Sequence, residues 1–347
     1  MHSVSNPQKA SGKLAACAPY PSIAADRVAQ LLNQCPAFCE TPLHDVQGLA
    51  PVASLWVKDE RTRMNLGSFK ALGAAYVIAR DAEAIEAQPT RETLNGRTYV
   101  TASAGNHGMS VAAGARIFGA SAVVHLAETV PEGFAERLRE QGARVVRSGA
   151  DYAASMDAAA RDAQEHGWTL LSDSSWEGYT DLPHTLMEGY LQMAAEAVRQ
   201  CPEVPTHILL QAGVGGLAGA VAAYARHIWG DAPRIVVVEP DAAPALQASI
   251  EAGRAVVTKG PDSIMGRLDC KEPSLIALNG LARDADDFVT LSDDEVTDVL
   301  PALEAAGIAT SASGGAGIAA VLHGDAKRTL GIKADAKVLC ILSEVPA

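Results

Sequence analysis

From Thr41 onward, short apolar runs of strand length alternate with longer stretches whose apolar residues recur every three to four positions. Strands are predicted at Leu55–Val57, Tyr99–Thr101, Ala122–Leu126, Arg144–Val146, His207–Gln211, Arg234–Glu239 and Lys337–Leu342. Helices are predicted at Ser68–Arg80, Gly108–Phe118, Glu132–Gln141, Asp151–Glu165, Leu217–Trp229 and Pro244–Ala252. This βα alternation implies an α/β fold with mostly parallel sheets covered by helices on both faces. Ligands are then expected where strand ends meet glycine turns. Residues 1–40 are rich in Ser, Pro and Ala with weak periodicity, and read as an arm on the body or a partly disordered tail. At 347 residues the chain has room for two lobes.

Composition narrows the function classes. The formal net charge is −13 and no Lys/Arg stripe appears, so neither nucleic acid nor an anionic membrane is an expected partner. Apolar runs such as Ile235–Val238 are far short of a membrane span, and the first 20 residues show no secretory signal. The six cysteines (17, 35, 39, 201, 270 and 340) are scattered, and Cys35 and Cys39 have no second pair or histidine nearby. Reduced thiols in a cytoplasmic protein, with no metal site, are the expectation.

Three segments carry candidate chemistry. In Asn65-Leu-Gly-Ser-Phe-Lys70, one of only nine lysines opens a helix amid small and apolar residues. A Schiff-base lysine needs burial and a lowered pKa, and Lys70 is placed for both. Taken alone, such a lysine is more often just a helix-surface residue. Thr101-Ala-Ser-Ala-Gly-Asn-His-Gly108 joins a strand end to a helix start, where backbone N–H groups take a carboxylate; an ordinary helix cap reads the same way. Gln211-Ala-Gly-Val-Gly-Gly-Leu-Ala-Gly219 lets backbone approach a phosphate at a helix N-terminus. With Glu239 ending the next strand, that run also fits a dinucleotide fingerprint, so an NAD-dependent oxidoreductase stands as the different-class alternative.

The three segments together, in that order, resemble the fold-type II pyridoxal 5′-phosphate (PLP) enzymes, the tryptophan-synthase-β-like fold, over nearly all of Thr41–Ser343. The resemblance implies two lobes: a large PLP-binding domain of residues 41–84 and 185–347, and a smaller mobile domain of residues 85–184, preceded by the 1–40 arm. It implies Lys70 as the Schiff-base lysine and Asn106 at the cofactor's O3′. It further implies Gly213, Val214, Gly215, Gly216 and Leu217 around the phosphate, and Ser343 facing the pyridine nitrogen. Ser103, Ala104, Gly105 and His107 fall on the substrate side. Ser172-Asp-Ser-Ser-Trp-Glu-Gly-Tyr-Thr180, Met187-Glu-Gly-Tyr190 and Ile264-Met-Gly-Arg-Leu-Asp-Cys270 are most similar to diaminopropionate ammonia-lyases, which makes Asp173 the carboxylate base. Where that family has a second catalytic aspartate this chain has Ala104, and its cofactor turn reads as in threonine dehydratases. The implied reaction is α,β-elimination on a small amino acid, giving a 2-oxo acid and ammonia. A serine/threonine-type dehydratase and a β-replacement synthase are the same-fold alternatives, and a homodimer is the family's usual assembly.

Overall fold

The computed structural model describes residues 1–9, 11–103 and 105–346, with the backbone alone at Lys327. In chain order the first part runs β1 (His2–Ser5), α1 (Ala25–Leu32), β2 (Leu43–Asp45), β3 (Ser54–Asp59) and α2 (Lys70–Ile85). Next come β4 (Thr98–Ala102), α3 (Asn106–Ile117), β5 (Ser121–Leu126), α4 (Glu132–Glu140), β6 (Arg144–Arg147), α5 (Tyr152–His166) and β7 (Thr169–Leu170). The chain continues through α6 (Asp181–Gly189), α7 (Leu191–Gln200), β8 (His207–Gln211), α8 (Gly216–Trp229), β9 (Arg234–Pro240) and α9 (Ala245–Ala252). It closes with α10 (Leu275–Asp284), β10 (Asp287–Leu291), α11 (Asp293–Thr297), α12 (Leu300–Ala305), α13 (Ala312–Leu322), α14 (Ala326–Leu330) and β11 (Lys337–Leu342).

Two sheets result, as the alternation implies. The larger has the order β1-β10-β9-β8-β11-β3-β2, and the smaller β6-β5-β4-β7. Pairing is parallel throughout, except that β1 and β2 add antiparallel at the two edges of the larger sheet. Interior strands such as β8 (HILLQ) and β10 (DFVTL) are buried along their whole length, as strands covered on both faces must be. The apolar core extends from the sheets into the faces of α2, α3, α8 and α10.

Differences from the sequence expectation are local. The helix expected over Ser68–Arg80 starts at Lys70 and runs on to Ile85. The weakly periodic first 40 residues contain α1, whose Val28, Leu31 and Leu32 are buried, and β1. Strand β1 exists because its backbone completes the β10 edge, a tertiary pairing that local periodicity does not encode. Among the described residues no helix is long and apolar enough to cross a membrane.

Candidate active site

Lys70 is delivered by a constrained turn. Arg63, Glu60, Lys58 and Glu196 are fully buried in one hydrogen-bonded ion network just before it. The backbone then passes through left-handed conformations at Met64 (φ 49°) and Asn65 (φ 58°), which cost energy in non-glycine residues. Phe69 N–H donates to the Ser343 carbonyl (3.1 Å), tying the start of α2 to the end of β11. The Lys70 ammonium donates to Asp173 Oδ2 at 2.5 Å. Burial alone would lower the lysine's pKa, but the Asp173 carboxylate outweighs it and holds Lys70 above the ordinary range. Burial would likewise raise Asp173, and the Lys70 charge overrides it, keeping the carboxyl well below the carboxylate range. The lowered pKa expected of Lys70 is therefore corrected: the sequence argument counted burial and not the counter-ion.

Asp173 is presented by the Trp-Glu-Gly-Tyr segment. Trp176 and Tyr179 exchange backbone hydrogen bonds around Gly178 (φ 84°), and their rings stack at 4.4 Å. The Tyr179 hydroxyl donates to the Leu170 carbonyl (2.8 Å) and accepts from Ser172 N–H (3.1 Å). The Ser175 and Ser274 hydroxyls hydrogen-bond at 2.7 Å and fix the turn to the start of α10.

The glycine run leaves β8 and opens α8. A Cβ on Gly213 would lie 2.9 Å from Cys270 Sγ and 3.1 Å from Leu268 Cα, so only glycine lets the backbone pass there. Gly215 sits at φ 99° as the N-cap of α8, and no side chain caps that helix. Val214 and Leu217 continue the turn; the Val214 carbonyl accepts from Ser274 N–H and Leu217 is buried. Uncapped amides on a glycine bend form an anion cradle.

At the β4–α3 turn, Ser103 Oγ accepts from the N–H groups of Gly105 (3.2 Å) and Gly108 (3.1 Å). The Asn106 amide donates to Glu344 Oε2 at 2.6 Å. His107 is 4% exposed, and its Nε2–H donates to the Leu171 carbonyl at 2.8 Å. Burial lowers its pKa and keeps it neutral, which leaves Nδ1 as an acceptor. Ala104, expected on the substrate side, lies outside the described residues. Ser343 is buried at the end of β11.

The structure thus gathers Lys70 and Asp173 in direct contact, and links Asn106 and Ser343 to the same corner through Glu344. It also adds residues that sequence reasoning passed over. Glu344 is 3% exposed and accepts from Asn106, Ser311 and Arg267 Nη1 (2.9 Å). Burial raises its pKa against the pull of Arg267. An acidic residue directly after an apolar strand was the available signal. Cys270 borders Gly213, and burial pushes its thiol up to about 12.

Buried polar atoms without partners among the described residues include Ser68 Oγ, His107 Nδ1 and Tyr190 Oη, all in this corner. Together with the glycine cradle and a lysine amine, they fit a phosphate-bearing aldehyde cofactor. The dinucleotide alternative loses its acidic residue: Glu239 is fully buried and accepts from the N–H groups of Leu246 and Gln247 at 2.8 Å each, capping α9.

Comparison with known proteins agrees with this geometry. The family described as "Pyridoxal-phosphate dependent enzyme" matches residues 35–344. Diaminopropionate ammonia-lyase of Salmonella typhimurium is 33% identical over 282 residues, 74% of this chain and 70% of that protein. The L-threonine ammonia-lyase of Thermotoga maritima is 27% identical over 258 residues, 74% of this chain and 60% of that protein. The crystal structure of Escherichia coli diaminopropionate ammonia lyase, in complex with an aminoacrylate–PLP azomethine reaction intermediate, superposes with a TM-score of 0.87 at 28% identity, covering 99% of this chain and 93% of that one. With a half-buried lysine amine paired to a carboxylate, a glycine turn and a family match over most of its length, this chain belongs to the fold-type II pyridoxal-phosphate dependent enzymes.

Proposed function

We propose that the protein is a PLP-dependent ammonia-lyase that eliminates the β-substituent of a small amino acid, 2,3-diaminopropionate-like or hydroxylated, and releases a 2-oxo acid and ammonia. The observation that carries this reading is the Lys70–Asp173 contact, an amine that donates to a carboxylate at 2.5 Å in the cofactor corner. The similarity to ammonia-lyases of both diaminopropionate and threonine supports the same reaction type. When bound, PLP supplies an electron sink for the Cα–H bond electrons.

The chain's own groups do the rest. Lys70 Nζ is the attachment atom, and Asp173 Oδ2 receives or returns the proton that Lys70 or the substrate gives up. Ser103, Gly105 and the start of α3 at Asn106 and His107 take the substrate carboxylate. Asn106 would contact the cofactor's O3′, Ser343 would face the pyridine nitrogen, and Gly213, Val214, Gly215, Gly216 and Leu217 would hold the phosphate. Residues 41–84 with 185–347 act as the cofactor lobe and 85–184 as the smaller mobile lobe, with 1–40 as an arm. The free thiols support a reducing, cytoplasmic setting, and the family resemblance supports a homodimer. The similarity to an L-threonine ammonia-lyase supports hydroxide as a second leaving group.

The test combines spectroscopy with a substrate screen. The purified protein should show a visible cofactor band bleached by borohydride, and Lys70→Ala should lose both the reducible link and turnover. β-Substituted amino acids of both configurations are then screened for 2-oxo acid release, with the L form preferred because Ala104 supplies no second carboxylate. A reducible adduct persisting in Lys70→Ala, or no release from any substrate, overturns the reading.

A further inference from the structure

Glu344 follows β11 with its side chain held from several sides. It is 3% exposed, its backbone bridges to Ser68 two residues before Lys70, and Thr310 Oγ1 donates to its carbonyl at 2.6 Å. A Cβ on Gly314 would stand 3.0 Å from Glu344 Cγ, so the stem packs closely on α13. The two carboxylate oxygens take different partners. Oε1 accepts from Arg267 Nη1 at 2.9 Å and from the Ser311 hydroxyl, while Oε2 accepts from Asn106 Nδ2 at 2.6 Å.

That division decides which way the Asn106 amide points. An ionised carboxylate only accepts, so the amide must turn its NH2 end, and not its oxygen, toward Glu344. Burial works against the charge on Glu344, and Arg267, Ser311 and Lys70 work for it. Nδ2 carries two hydrogens and Glu344 takes one of them. The second is left for another acceptor in the corner.

We infer that Glu344 is a positioning residue: by accepting one Nδ2 hydrogen it fixes the Asn106 amide so that the other donates to the cofactor's O3′. The inference rests on Asn106 contacting O3′, as proposed above. A donor at O3′ favours its ionised form, and an amide oxygen in the same place favours O3′–H. The ionised ring oxygen absorbs in the visible and the protonated one in the near ultraviolet. The orientation of the amide therefore has an optical signature.

Glu344→Gln tests it in the holoenzyme. Arg267 has only donors to offer, so the introduced amide keeps its oxygen on the Arg267 side and turns its NH2 to Asn106. Asn106 must then present its oxygen there, and O3′ meets an acceptor in place of a donor. The ratio of visible to near-ultraviolet absorbance, per bound cofactor, should fall roughly 10-fold, the scale of a hydrogen bond to a charged group. Should that variant fail to fold, Glu344→Met leaves the amide without its anchor and should lower the same ratio. A purely structural role would lower stability or cofactor content and leave the ratio alone, so an unchanged ratio in the folded, loaded variant overturns the inference. Asn106→Ala separates the two premises. It should lower the ratio by itself, and adding Glu344→Gln to it should lower it no further. No change in Asn106→Ala removes the contact with O3′; a fall there without one in Glu344→Gln removes only the role of Glu344. A further fall in the double variant shows that Glu344 does not act through Asn106, and overturns the assignment as well.

Discussion

Lys70 and Asp173 each favour the other's charged form against the burial that disfavours it. Replacing Asp173 by Asn removes the counter-ion, and burial then drives Lys70 toward the neutral amine. The variant should keep its borohydride-reducible cofactor while kcat falls by roughly 10²- to 10⁴-fold, the usual scale for a positioned acid–base group. Single-turnover and steady-state assays check this, and near-normal kcat would reduce Asp173 to an ion-pair partner. At this scale the sequence was informative where chemistry is concentrated in a local string: Gly-Ser-Phe-Lys70 and Ser172-Asp-Ser-Ser-Trp each name a residue. It was silent on Glu344. Its significance comes from what surrounds it, Asn106, Arg267 and Ser311, which sequence spacing does not carry.

Helix starts divide into two kinds. Helices α5, α11 and α13 begin on a capping side chain, Asp151, Ser292 and Ser311 respectively. Helices α2 and α8, which begin at Lys70 and Gly216, have none, and neither do α1, α4, α6, α7 and α12. Leaving a cap out costs about 1 kcal/mol, and at α8 the uncapped amides open on the glycine run, where an anion can take the cap's place. Gly215→Asp should expose that economy. It forces a side chain into a φ of 99° with Ala277 Cβ only 2.9 Å away, and adds a negative charge to the cradle. Cofactor content per protein, read by absorbance, should fall to near zero with far-UV circular dichroism retained; full occupancy would move the phosphate elsewhere. Strands and helices of βα units were legible because apolar runs are long and turns are glycine-marked. Edge strand β1 and helices α6 and α7 were not. The first is created by its neighbour's unpaired backbone, and the other two meet with only Tyr190 between them.

Across the molecule, the buried network joins parts of the chain that are distant in sequence. Arg63 donates to Glu60, to the Cys39 carbonyl, to Thr41 and to both oxygens of Glu196, while Lys58 donates to Glu196 and Gln200. Two cations and two anions balance, so removing one leaves a buried charge uncompensated. Arg63→Met should cost about 3–5 kcal/mol in urea unfolding, and a loss well under 1 kcal/mol would show the network to be neutral. Burial pushes Glu196 up, but Arg63 and then Lys58 pull it down to about 2. Its contribution to stability is therefore complete above its usual 4.5 and is lost as pH falls from there toward 2. Lys58-Asp-Glu-Arg61 was visible in the sequence only as a charged segment; that Lys58 and Glu60 point inward required the α7 partner.

Strand β11 lies between β8 and β3, pairing Leu339 with both Ile208 and Trp56, and Ser343 and Glu344 follow directly from it. During synthesis this interior strand of the larger sheet therefore emerges after the strands on both sides of it. Until it arrives, β8 and β3 present open edges that invite association with other chains. Pairings so distant in sequence close slowly. The residue that orients Asn106 and Arg267 emerges with that same strand, so a nascent chain cannot assemble this corner until its largest sheet has been sealed.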